Sequence, residues 1–140
     1  MNTNKLKEIY TKYNLEKDDI FVLKFGGKDK PIITRSGIER IQSKLDISVN
    51  YKIENLSEDN KTCTILAHGA ILQTQDNGQG GLTKTPKATA QSFGEVSPSN
   101  CTHKFPIAIC EKMASARVIL KLANLIGFYS EDDAEEFTRK

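Results

Sequence analysis

The chain has no tryptophan, only three cysteines, two histidines and four prolines in its 140 residues. Cys63, Cys101 and Cys110 are odd in number and form no Cys-x-x-Cys pair, which argues against a disulfide framework. Together with His68 and His103 they could in principle supply zinc ligands, but their spacings match no closed zinc module, so no metal is expected. Cys63 lies in an apolar strand pattern and Cys110 in a helical one, where a reduced thiol acts as a small hydrophobe. No apolar run approaches the about 20 residues that cross a bilayer, so no membrane contact is expected. Met1-Asn2-Thr3-Asn4-Lys5 leads into a charged stretch without an apolar core. No secretory leader is therefore expected, and a cytoplasmic location is.

A dominant charge is also lacking: 20 basic and 18 acidic residues give a net charge of +2. The distribution is less even. Residues 61–128 hold seven basic and three acidic side chains, whereas residues 129–140 hold two and five. A basic body with an acidic tail suits a polyanion partner, and it equally suits a solvated surface. The composition, 38% apolar and 27% charged, is that of one globular domain spanning 1–140, with 128–140 as an acidic tail or short helix.

Periodicity divides the chain. Leu6, Ile9, Tyr10 and Tyr13 have helical spacing, and Ile20 to Phe25 reads as a strand followed by a turn through Gly26–Pro31. Thr34 is a possible cap, and Ser36-Gly37-Ile38-Glu39 has the form of a capping box for a helix over 35–46. Ile47, Val49, Tyr51 and Ile53 alternate with polar residues, and 61–72 form a second strand, so the two make an antiparallel hairpin. Residues 73–86 read as loop, 87–93 as a third strand and 94–102 as irregular. Pro106 suits the first position of a helix that runs to Gly127 as its C-cap. Ala108, Ala116, Ile119, Leu122, Ala123 and Ile126 give that helix one broad apolar face. Arg117, Lys121 and Asn124 fall within about 60° of one another on another face. The expected architecture is α+β: an antiparallel sheet of three, or four, strands packed on one long helix, a β-β-β-α core with extra short helices.

Motifs for catalysis are weak. Gly78-Gln79-Gly80-Gly81-Leu82-Thr83-Lys84-Thr85 approaches a phosphate loop, but Thr83 stands where a glycine is needed and Pro86 opposes the following helix. A flexible hairpin tip carrying Lys84 and Lys87 is the better reading. Glu131-Asp132-Asp133 could bind a divalent ion, although adjacent carboxylates on a tail usually face water. No nucleophile–base pairing is evident, so no catalytic residue and no cofactor are expected. What remains is a spread of cations of the kind that neutralises phosphates. Phe25, Tyr51, Phe93 and Phe105 are candidates for base stacking, and each reads better as core.

The stretch Ala108-Ile109-Cys110-Glu111-Lys112-Met113-Ala114-Ser115-Ala116-Arg117-Val118-Ile119-Leu120-Lys121-Leu122 continues through Gly127 to Glu131-Asp132-Asp133. With Ser92-Phe93-Gly94-Glu95 before it, this resembles the single-strand annealing recombinases: the essential-recombination-function proteins of phages and the annealing mediators of eukaryotic recombination. The resemblance spans roughly residues 32–137 and carries one arginine in the helix where the family has a cluster. It implies a β-β-β-α core and ATP-independent annealing of single-stranded DNA in recombination, repair or phage replication. It also implies a homo-oligomeric ring or filament and a possible partner nuclease. The expected phosphate contacts are Lys112, Arg117 and Lys121 from the helix, with Arg35, Lys84 and Lys87 from the loops. The competing expectation is a small structural or interaction protein that oligomerises through its sheet edges and long helix without binding nucleic acid.

Overall fold

The computed structural model describes residues 3–138. Residues 1–2 and 139–140, the ends of the segments weighed as leader and as acidic tail, lie outside the described residues. The fold of the described residues is α+β, with four α-helices and two three-stranded sheets in place of the single sheet expected.

The first sheet arises because the stretch read as a turn is largely a strand. β1 (Ile20–Phe25) and β2 (Lys28–Ile33) pair antiparallel around Gly26-Gly27 alone. Both glycines have positive φ, 60° and 76°, the two-residue turn whose twist matches paired strands. The third member is the two-residue β6 (Tyr129–Ser130), parallel to the end of β2. α1 (Thr3–Tyr13) and α2 (Arg35–Leu45) pack beside it. Thr34 is the N-cap of α2, its hydroxyl accepting from the Gly37 amide at 3.2 Å. The capping box expected at Ser36 does not form. Ser36 instead donates to Asp19 at 2.9 Å, in the 3-10 turn that precedes β1.

The second sheet is the antiparallel meander β3 (Ile47–Leu56), β4 (Cys63–Asp76) and β5 (Leu82–Val96). Its last two strands run well past the expected ends, because the mostly polar residues 73–76 and 82–86 pair with one another as a two-stranded arm. Only 77–81 is loop. Polarity there reflects strands solvated on both faces, not a lack of pairing.

α3 (Pro106–Leu122) crosses the inner face of this sheet, over β4 and β5. It ends at Leu122, short of Gly127. Asn124 takes the left-handed conformation (φ 56°), its amide bonds Lys121 O at 3.0 Å, and the Leu125 amide bonds Leu120 O at 3.0 Å. That is a Schellman stop with asparagine in the usual glycine position. Ile126, expected on the apolar face, is therefore in a loop and 81% exposed.

α3 is buried on two sides, not one. Ala116, Ile119, Leu120 and Ala123 join a core with Ile9, Tyr13, Ile33, Ile41 and Phe128. Cys110, Met113, Ala114 and Val118 join a second with Cys63, Ile65, Ala67 and Val96. A helix apolar nearly all round is the sequence consequence of a central position. Gly94 lets it approach: a Cβ there would collide with Cys110 O and lie 2.8 Å from the Ala114 amide nitrogen.

Candidate nucleic-acid interface

The six expected phosphate contacts are distributed over three places. Arg117 and Lys121, one turn apart on α3, lie together along the free edge of β5. Arg117 donates to Phe93 O at 2.7 Å and Lys121 to Gln91 O at 2.9 Å. Because β5 pairs among the described residues only with β4, these cations take carbonyls that an edge strand would otherwise leave open. They also line an open groove of about 580 Å³ with Ser92, Asn124, Ile126 and Tyr129.

Arg35 and Lys112 meet in a smaller cleft of about 140 Å³, beside Tyr51 and Asp132. Lys84 and Lys87 are on the arm. Lys84 pairs with Asp46 at 2.9 Å. Lys87 has no partner in the strand register: Ile71 faces Ala88 and Leu72 faces Pro86, so Lys87 is the extra residue of a β-bulge.

The acidic triplet does not face water as expected. Asp133 holds Arg117 through two bonds, Oδ1 to NH2 at 2.7 Å and Oδ2 to Nε at 3.1 Å. Asp132 Oδ1 lies 3.4 Å from Arg35 NH2, and Glu131 Oε1 accepts the Arg35 amide at 2.6 Å. These residues open α4 (Glu131–Thr138), which β6 leads into. Burial pushes the Asp132 carboxyl above its ordinary range; Arg35 and Lys112 oppose that, while Asp133 and Glu131 reinforce it.

The four candidate stacking aromatics depart from the core reading. Phe25, Tyr51, Phe93 and Phe105 are between 44% and 61% exposed. Phe93 is the most informative. Gly94 and Ile65 point at α3, so their neighbours Phe93 and Leu66 point to the opposite, uncovered face. The strand register places Lys52, Leu66 and Phe93 in one row across that face and Asn50, His68 and Gln91 in the next. By the same alternation Thr74 and its partner Lys84 continue it onto the arm. The uncovered face thus carries a ring, amide groups, a histidine and two lysines, with Arg117 and Lys121 at its β5 rim. Alternation in 47–53 and 61–72 already separated the two faces in the sequence. The helix lies on the face that carries the apolar set, Ile47, Val49, Tyr51 and Ile53, as that alternation implies; the facing of Phe93 was not legible there.

The cysteines are free thiols, Cys63 and Cys110 both buried. Cys110 Sγ lies 3.2 Å from Gly94 O and 3.4 Å from Cys63 O, two acceptors for its single S–H. Burial and the neighbouring Cys63 push its pKa up to about 12. Among the described residues no helix is long and apolar enough to cross a membrane.

No family model, no curated protein and no solved structure matches the chain.

Proposed function

We propose that this protein binds single-stranded DNA on the uncovered face of the β3-β4-β5 sheet and promotes ATP-independent strand annealing. The observation that carries the reading is Phe93, exposed on an open sheet face whose rim is set with Arg117 and Lys121. A ring on such a face offers a stacking platform for any base, worth about 1–3 kcal/mol per base. Cations at the rim and on the arm neutralise phosphates and so lower the repulsion between two strands. Pairing then supplies the sequence recognition that the protein does not. The order of β3, β4, β5 and α3 agrees with the β-β-β-α core that the annealing recombinases would require, and it supports that kinship as part of the proposal.

The test is fluorescence anisotropy of a labelled dT30 oligonucleotide across a salt series, with a duplex control. Salt-sensitive binding that favours the single strand is expected. Phe93→Ala should weaken it by about tenfold, the size of one lost stacking contact. Arg117→Gln with Lys121→Gln should flatten the salt slope by about 1.4, at about 0.7 per phosphate contact on a single strand. No binding at low salt overturns the reading.

A second reading has its own observation. Among the described residues nothing pairs with the outer edge of β3 over Ile47–Leu56, and Tyr51 and Ile53 beside it are exposed. A bare edge with apolar neighbours is a place for strand addition, which suits an oligomerising interaction protein. Self-association that persists at high salt, without DNA binding, would favour it.

A further inference from the structure

Three adjacent carboxylates at the start of α4 engage positive groups on two other helices. Glu131 takes the amide of Arg35 in the first turn of α2, Asp132 approaches the Arg35 guanidinium, and Asp133 takes the Arg117 fork. Helix-start amides and arginine forks are the donors that a phosphate oxygen would use. The segment is also held by contacts other than these carboxylates. β6 pairs with β2, and Phe128, Ser130 and Ala134 on either side of the triplet are buried. The arginines, in contrast, stay within reach of solvent, with side chains 42% exposed at Arg35 and 33% at Arg117. An anchored backbone therefore presents consecutive anions to partly open cations.

We propose that Glu131–Asp133 is an internal phosphate mimic: it occupies Arg117 at the β5 rim, and Arg35 on the helix side of the sheet, in the free protein and is exchanged for the phosphates of a bound strand that runs from the uncovered face round that rim. This rests on the single-strand reading above and adds an autoinhibitory contact to it. The exchange moves side chains only, because the flanking buried residues hold the backbone. The released carboxylates gather cations from solution, which offsets part of the counterion release that drives binding.

The experiment compares the full chain with its Glu131→Gln, Asp132→Asn, Asp133→Asn variant, using labelled dT30 in a salt series. Circular dichroism melts establish that both are folded. The variant is expected to bind about tenfold more tightly at low salt, with a salt slope steeper by about one. Equal or weaker binding by a folded variant, while the wild type binds, overturns the mimic and leaves the single-strand reading standing. Silence from both proteins overturns the single-strand reading and the mimic with it. Should the triple variant not fold, Asp133→Asn alone is measured. About threefold tighter binding is then expected, and unchanged affinity overturns the mimic.

Discussion

Gly94→Ala drives a Cβ into the backbone of α3. The added Cβ would collide with Cys110 O, and it would lie 2.8 Å from the amide nitrogen and 3.0 Å from the Cβ of Ala114. Two of the three neighbours are backbone of α3, which no rotamer change can move aside. Restoring carbon contacts of about 3.5 Å requires the helix to shift off β5 by well over half an ångström. That shift opens the core formed by Cys63, Ile65, Val96, Met113 and Val118, and a gap of about 0.5–1 Å forfeits a quarter to a half of each dispersion contact. Overpacking ordinarily costs about 1–3 kcal/mol, and here the upper end, about 3 kcal/mol, is expected. For a domain of this size that lowers Tm by about 10 °C. Urea unfolding and thermal melts followed at 222 nm read it directly. Gly81→Ala is the control: its Cβ meets only the Asn77 side chain at an exposed loop, and a change within about 0.5 kcal/mol is expected. A Gly94→Ala protein melting within about 2 °C of wild type would refute the close helix–strand crossing.

Three further predictions follow from the same geometry. At pH 8 a thiol reagent should label only Cys101 in the native protein and all three cysteines in urea, since Cys63 and Cys110 are buried and the Cys110 pKa is near 12; rapid native labelling of a second thiol contradicts this. Asp132 has its folded pKa raised above 3.8, so its contribution to stability is present below that value and lost as pH rises through the folded pKa. Asp132→Asn should therefore gain stability relative to wild type between about pH 3.5 and 7 in urea titrations, whereas a relative loss would mean that the Arg35 pair outweighs burial. Asp19 is buried and accepts the Glu16 amide at 2.7 Å and Ser36 Oγ at 2.9 Å, with Arg40 Nε 3.0 Å away; Asp19→Ala should cost about 3 kcal/mol in chemical denaturation, and a loss below about 1 kcal/mol would show that water replaces these bonds.

Local chemistry explains what was legible in the sequence. Period two in 47–53 and the β-branched run 61–72 specify strands whichever partner they find, and Pro106 specifies a helix start because it lacks an amide that would go unbonded anyway. Thr34 is likewise a cap by its own side chain. Other features depended on residues distant in the chain. Ser36 could accept a backbone amide as a cap or donate to a carboxylate, and Asp19, seventeen residues earlier, takes its hydroxyl. The end of α3, by contrast, is local: Asn124, two residues past Leu122, takes the left-handed conformation and closes the helix before Gly127. Residues 73–76 and 82–86 are strands only because each supplies the other's hydrogen bonds.

The candidate site divides along the same line. Sequence alone determined which residues are cations and which rings could stack, because charge and aromaticity belong to single side chains. It could not determine that Phe93 stays outside, since that depends on the register of β5 against β4, and Gly94 and Ala114 settle it by permitting contact on the other side. Nor could it show that Arg35 and Arg117 meet carboxylates from residues 131–133, because ion pairs across such separations exist only once β6 has docked on β2. Composition and periodicity act within a turn or a strand; register and pairing are properties of the assembled layers, and these the tertiary structure alone decided.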